Sequence, residues 1–244
     1  MQKRAQLTTF IITGLFVLLA VALLLFARKP AEEIARQTEF LAATTAVKAN
    51  IESCLEIVGS DALAALAFLG GRTKLYPPYF SSENFNTNYN YFGGVSKVPS
   101  VAEMEAELGA FVDSNLANCA DFSQFPAINF EPGKVAATAT IAKNSVVLRV
   151  DWPVLMRQAE FSKEYSEFAA KFSPMRLGLL QQSMKKIAAK TASQPLFVDA
   201  LFLLELGINA TFTNYNNSVV YLLTDPGSML RGKNYFMMFA TKIA

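Results

Sequence analysis

The sequence predicts an α+β protein with an N-terminal transmembrane helix, extended by a long helix, and then a globular domain with an antiparallel sheet and several helices. Three observations lead to this prediction. Residues 7–27 are 21 consecutive residues without a charge. Apolar residues then recur at helical spacing as far as Gly70-Gly71. Beyond residue 119, alternating strand patterns separated by turn residues dominate, with a few helical patterns among them.

The uncharged run is long enough to cross a bilayer. As a helix, residues 7–27 would extend about 31 Å, which matches the thickness of the hydrocarbon core. Lys3 and Arg4 precede the run and Arg28 and Lys29 follow it, so the flanking charges orient the helix only weakly. We expect a single-pass membrane protein with the rest of the chain outside the cytoplasm.

The residues before this run carry a family resemblance. Lys3-Arg4-Ala5-Gln6-Leu7 resembles the archaeal class III signal of type IV pilins and archaellins, in which a prepilin-type peptidase cuts after the small residue. The resemblance covers residues 3–27 and implies cleavage between Ala5 and Gln6. Bacterial pilins carry a glutamate where this chain has Phe10, whereas archaeal relatives often lack it. The resemblance also implies that the helix assembles like subunits into a filament.

A second helical pattern follows the uncharged run. Pro30 suits the first turn of a helix, and Gly70-Gly71 suits its C-terminal cap, so a long helix is predicted over residues 31–69. The predicted inward face comprises Val47, Ile51, Cys54, Val58 and Ala62. The resulting division is a leader (1–5), a transmembrane and assembly helix (6–29), a stalk and packing helix (30–71) and an extracytoplasmic α+β domain (72–244).

Residues 72–99 are predicted to be a long irregular segment. Asparagine alternates with other residues over 84–90, and aromatic residues are frequent. Aromatic faces and amides suit a glycan or a partner protein. The candidate ligand or partner surface is Tyr76, Tyr79, Phe85, Tyr89 and Tyr91. The alternative, which is more common for loops of this kind, is that these aromatic rings cover the domain's own core.

The remaining elements follow from caps, turns and periodicity. Ser100 and Glu103 match a capping box, so a helix is predicted from there to about Cys119. The predicted strands are 135–141, 146–152, 154–161, 164–172, 208–214, 218–224 and 234–243, and the later helices are 175–191 and 196–206.

The cysteines indicate a compartment. With two cysteines and no histidine, the chain lacks the ligands of a structural zinc site. Outside the cytoplasm, a bridge between Cys54 and Cys119 is favoured over two buried free thiols. It would close a loop of about 65 residues and add roughly 4 kcal/mol of stability.

Several functions are disfavoured. A net charge of +2 without a basic stripe argues against nucleic acid. Gly227 to Lys233 has the spacing of a phosphate loop, but Asn234 replaces the magnesium-binding hydroxyl and a strand follows, so a turn between strands is predicted and no nucleotide. No catalytic pattern is found, so we expect no enzyme, cofactor or metal. Asn209 and Asn216 begin glycosylation sequons.

The predicted function is a structural or interaction protein of the cell surface: a pilin-like or pseudopilin-like subunit assembled through its N-terminal hydrophobic helix. Its expected partners are the membrane, a prepilin-type peptidase and like subunits in a homo-oligomer or filament. The alternative is a monomeric, membrane-anchored, extracytoplasmic module that binds a glycan or protein through residues 72–99.

Overall fold

The computed structural model describes residues 2–194 and 200–242, and places side chains for residues 13–23, 33–194 and 201–242. The helices are α1 Gln2–Phe68, α2 Val101–Cys119, α3 Leu177–Ser193 and α4 Ala200–Leu204. The strands are β1 Tyr79–Ser81, β2 Asn86–Phe92, β3 Val95–Ser96, β4 Asn129–Pro132, β5 Ala136–Ile141, β6 Val146–Gln158, β7 Phe161–Phe172, β8 Asn209–Tyr215, β9 Ser218–Leu230 and β10 Lys233–Lys242. The predicted α+β class is confirmed.

The long helix predicted over residues 31–69 is observed, but it does not begin at Pro30, because it continues the N-terminal helix. α1 contains 67 residues, about 100 Å, and Pro30 lies inside it. Its C-terminal end is the glycine pair that the sequence indicates. Gly70 and Gly71 both have positive φ angles, and the Gly71 N–H donates to the Leu66 carbonyl. This left-handed cap satisfies a carbonyl of the last turn, as expected for glycine after a helix.

The transmembrane prediction is wrong. In the part of the chain that the structure describes, no helix has a stretch both long enough and apolar enough to cross a membrane. The finding overturns the single-pass span and conflicts with a class III signal, which precedes such a span. The cleavage position at Ala5 and Gln6 lies outside the described side chains.

The predicted single antiparallel sheet is replaced by two sheets. The first has the order β1-β2-β10-β9-β8, with β3 also paired to β2; β2 and β10 run parallel and the other pairs are antiparallel. In the second sheet the long strand β6 pairs with β7 on one side and with β4 and β5 on the other. Buried residues of α1, α2, α3 and both sheets form one continuous core.

The irregular segment predicted over residues 72–99 is also wrong, because it contains β1, β2 and β3. Asparagine is unfavourable in strands, but here its amides serve the fold. The Asn88 Nδ2 donates to the carbonyls of Leu69 and Lys74, and its Oδ1 accepts from the Tyr76 N–H. Asn88 therefore holds the loop after α1 against the sheet.

Two further boundaries differ from the prediction. β6 is one strand where two were expected, since Pro153 lies at a register shift between Asp151 and Val154, a place where a strand tolerates proline. The helix predicted over 196–206 is observed only as α4, and residues 195–199 lie outside the described part. The helix predicted over 175–191 agrees with α3 within two residues.

α2 begins and ends as predicted. The Ser100 hydroxyl accepts from the Glu103 N–H, and the Glu103 carboxylate accepts from the Ser100 N–H. At the other end, Cys119 is bridged to Cys54, with the two Cα atoms 5.7 Å apart. The disulfide is confirmed, and it joins the middle of α1 to the end of α2.

Candidate functional site

The aromatic residues predicted to form one surface are divided among three places. Tyr76 lies beside α2, where its hydroxyl donates to the Glu107 carboxylate. Tyr79 is partly exposed and Phe85 half-buried near the turn between β8 and β9, as the contacts of Phe85 with Tyr215 indicate. Tyr89 and Tyr91 are buried in β2, and Tyr89 lines the same cleft as Tyr79. The five residues therefore do not form one continuous binding surface.

The cleft beside α2 is occupied by bonds within the chain. Glu107 accepts from the N–H and hydroxyl of Thr73 and from the Tyr76 hydroxyl, and the Arg72 guanidinium lies 3.8 Å away. Burial by itself raises the pKa of Glu107, but the bonds from Thr73 and Tyr76 and the Arg72 charge outweigh it, so the pKa is lowered. Glu107 is an ionised residue that fastens the loop after α1 to α2.

Asp225 is a fully buried carboxylate on β9, at a register shift in the pairing with β10. It accepts from the Arg176 guanidinium, the Ser228 hydroxyl and the Gly227 N–H. A Cβ at Gly227 would meet the Arg176 guanidinium, so a larger residue here would push this guanidinium from its position beside Asp225. The cluster connects the start of α3 to β9. Gly227 thus has a packing role, and Arg231 and Gly232 form a turn between two strands, as predicted.

An aromatic cleft of about 670 Å³ lies beside the turn between β8 and β9. Phe80 and Tyr215 pack with ring centroids 5.0 Å apart, and the Tyr89 hydroxyl lies 3.0 Å from the Ser218 hydroxyl. The other lining residues include Tyr79, Glu83, Asn84, Asn216, Asn217 and Lys242. Tyr215 and Lys242 were not predicted, because they come from strands more than a hundred residues after Tyr79. On the β8–β9 side of the cleft, the sequence analysis singled out Asn216 alone, as the start of a sequon.

The two sequons lie at opposite ends of β8. Asn209 is exposed at the first residue of the strand. Asn216 is exposed in the turn with a positive φ angle, but the hydroxyl residue of its sequon, Ser218, is buried. Glycosylation at either position stays a prediction.

The first part of α1 is a further candidate site, for association instead of ligand binding. All eleven residues from 13 to 23 are exposed, including five consecutive large apolar side chains, Leu15 to Leu19. Five successive helical positions cover the whole circumference, so the segment is apolar on all sides. From residue 33, where the side chains are described again, the first buried residue is Phe40, about 25 Å further along the helix than Leu23.

Comparisons with protein-family models, with curated proteins and with solved structures find no match. The resemblance of residues 3–27 to archaeal type IV pilins therefore stays a prediction.

Proposed function

We propose that this protein is a structural subunit of the cell surface that assembles with like subunits through the first part of α1, in the manner of a pilin or pseudopilin. The apolar segment, residues 13–23, is the observation that carries the proposal. It is exposed on every side of the helix, and water is an unfavourable surrounding for so much contiguous apolar surface. A helix that is hydrophobic all round is stable when other helices surround it. Copies of the same segment supply such a surrounding.

The rest of the molecule is consistent with a subunit that presents a folded domain on a helix. Buried residues of α1 between Phe40 and Ala67 belong to the domain's own core, so the domain packs on the same helix that carries the apolar segment. The Cys54–Cys119 disulfide favours an oxidising compartment, and we place the domain outside the cytoplasm for that reason.

The test compares two substitutions on the same helix. Leu18 in the apolar segment and Ile34 outside it are both exposed aliphatic residues, at 72% and 63%. We expect Leu18→Glu in the full chain to lower the mass of the assembly, because a buried carboxylate among apolar helices is strongly unfavourable. Ile34→Glu should leave it unchanged. Sedimentation velocity and electron microscopy of material prepared without detergent measure the assembly.

Two results would overturn the proposal. One is an equal effect of Leu18→Glu and Ile34→Glu, which would mean that the apolar segment has no special role in association. The other is a wild-type chain that stays monomeric at all concentrations and is captured only by lipid vesicles.

A second candidate function rests on the aromatic cleft. Tyr79 and Tyr215 present partly exposed rings beside the amides of Asn84, Asn216 and Asn217, a combination that suits a glycan or a peptide. In this function the domain is a binding module. Tyr79→Ala should weaken glycan binding at least about tenfold if the ring is a stacking platform, while Tyr76→Ala, an equally exposed tyrosine in another cleft, should not. Glycan-array binding of the two variants measures this difference.

A further inference from the structure

Strand β8 is an edge of the first sheet in the part of the chain that the structure describes. Among the described residues it pairs with β9 alone. Six of its seven residues are exposed and Ala210 is half-buried. An edge strand of this length presents a row of unpaired N–H and carbonyl groups, which is a template for another strand.

The other sheet edges carry the features that prevent such pairing. β1 and β3 have only three and two residues, and β4 is short and ends at Pro132. β7 carries Lys163, Glu164, Glu167 and Lys171. β5 is covered by α2, whose Asp113 and Glu105 accept from the N–H groups of Ala137 and Ile141.

β8 lacks the short length and the charges of these edges, although the short helix α4 lies close to it. Its sequence from Asn209 to Tyr215 contains no charge and no proline, and it alternates threonine with an aromatic residue at the centre. Natural edge strands usually contain lysine, proline or a bulge when they must stay unpaired. The absence of such features at this edge, in contrast to the others, indicates that the edge has a partner.

The sequence of β8 also matches itself. Thr211-Phe212-Thr213 reads the same in both directions, so two antiparallel copies centred on Phe212 place Phe212 opposite Phe212 and Thr211 opposite Thr213 twice. Aromatic pairs and threonine pairs are among the favourable cross-strand pairs. With no charge in the strand, the symmetric arrangement brings no like charges together.

The backbone register agrees with this centre. Tyr215 and Ser218 flank the two-residue turn of the hairpin, so the Tyr215 carbonyl points towards β9. Because the direction alternates along a strand, the backbone groups of Ala210, Phe212 and Asn214 point outwards. In a pair centred on Phe212, these are the residues that exchange hydrogen bonds with the second copy.

The side chains at the centre extend an existing aromatic row. Phe212 is paired with Tyr221, and Tyr221 with Phe239, with ring centroids 6.4 Å and 5.3 Å apart. Tyr221 and Phe239 are buried, whereas Phe212 at the end of the row remains 39% exposed. A second Phe212 across the edge would continue the row.

We propose that β8 pairs antiparallel with β8 of a second copy of this chain about a twofold axis at Phe212, which joins the first sheets of two subunits into one. This interface is isologous and lies in the folded domain. It goes beyond the proposed association through α1 and does not depend on it.

Cross-linking tests the axis. Both native cysteines are in the disulfide, so Phe212→Cys introduces a single free thiol. Opposite residues of a hydrogen-bonded pair have Cα atoms about 5.5 Å apart, within the range of a disulfide. The matched control is Leu222→Cys, which is 37% exposed on β9, where the two copies would be about 14 Å apart. We expect a covalent dimer for Phe212→Cys only; equal cross-linking of both variants would overturn the proposal.

Charge exchange tests the register. Thr211 and Thr213 are exposed, so lysine or glutamate at both positions should leave the fold intact, which the melting temperature checks. Lysine at both positions, or glutamate at both, places like charges opposite each other, and we expect dimer affinity to fall at least about tenfold. An equimolar mixture of the two variants should recover it, because each lysine then faces a glutamate. A mixture as weak as its components would overturn the pairing.

A final variant separates this interface from the proposed function. Phe212→Cys combined with Leu18→Glu should still form the covalent dimer, since the two changes lie on different elements. Loss of the dimer in this variant would mean that the two copies of residue 212 meet only when the subunits assemble through α1. That result would overturn β8 as an interface of its own. An unchanged assembly mass for Leu18→Glu alone would count against the proposed function and leave the β8 pairing standing.

Discussion

The two parts of α1 belong to one helix but differ in what surrounds them. From Phe40 to Ala67, α1 contributes to the core and is bridged to α2 by a disulfide. From residue 13 to 23 every side chain is exposed, although the segment is the more apolar of the two. The difference shows that hydrophobicity alone does not place a helical segment in the core of its own domain. The second part has partners within the chain, whereas the first part, in our proposal, finds them in other copies.

The largest expected effect concerns the bridge that fixes the second part of α1. Replacing both Cys54 and Cys119 by serine should lower the free energy of unfolding by about 4 kcal/mol, because the unfolded chain regains the freedom of a loop that spans 65 residues. Urea denaturation measures the loss. Reductant should destabilise the wild-type domain and leave the variant unchanged; insensitivity of the wild type would contradict the structural role of the bridge.

A pair of truncations compares the two parts of α1 directly. Leu63 is fully buried and Leu18 is exposed. Leu63→Ala should cost about 3 kcal/mol through lost burial and a residual cavity. Leu18→Ala should change the unfolding free energy of the domain by less than about 0.5 kcal/mol. Similar losses in urea denaturation would mean that the first part also packs on its own domain.

Tyr235 tests the contact between β10 and α1 and gives a pH dependence. Its buried hydroxyl donates to the Leu63 carbonyl, and Tyr235→Phe should cost about 1 kcal/mol. Burial raises the pKa of Tyr235 above its usual value of 10.0. Above that pH the unfolded chain releases a proton that the folded chain keeps, so stability present below pH 10 is lost as the pH rises.

The alkaline loss should be shallower in Tyr235→Phe, and thermal unfolding between neutral pH and pH 11 checks this. Burial also raises the pKa of Tyr221, so part of the dependence should persist in the variant. An identical slope in both proteins would contradict the assignment to Tyr235.

The smallest effect is expected for the ion pair between Arg231 and Asp61 on the surface of α1. Both side chains are about half exposed, so water and salt screen the charges. Arg231→Gln should change the unfolding free energy by less than about 1 kcal/mol, and less still at high salt. A loss as large as that of Leu63→Ala would show that this turn is more important to α1 than its exposure indicates.

Local features were predictable from the sequence where neighbouring residues decide them. The capping box of Ser100 and Glu103 satisfies backbone groups within three residues of itself. Gly70 and Gly71 end α1 because positive φ angles suit glycine. The hairpins of the second half have turn residues adjacent to alternating strands. The disulfide was predictable from a count of two, with each cysteine at an inward position of a helix.

Features that depend on distant residues were missed. β2 is rich in asparagine and was predicted as an irregular segment, yet its amides bind Leu69, Lys74 and Met184, which no local pattern indicates. The aromatic cleft joins β1 to a turn that follows it by more than a hundred residues. The transmembrane helix was predicted from an uncharged run alone and was overturned by the described helices.

The sequence by itself determined the α+β class, the caps of α1 and α2, most hairpins and the cysteine pair, because these depend on periodicity, turn chemistry and residue counts. Only the tertiary structure decided that the described strands form two sheets, that β2 lies in one of them, and that the other edges of these sheets, unlike β8, are short, charged or covered. The physical reason is that strand pairing joins residues that are far apart in the chain. A strand is an edge only if no other strand pairs with one of its sides, which local sequence does not show.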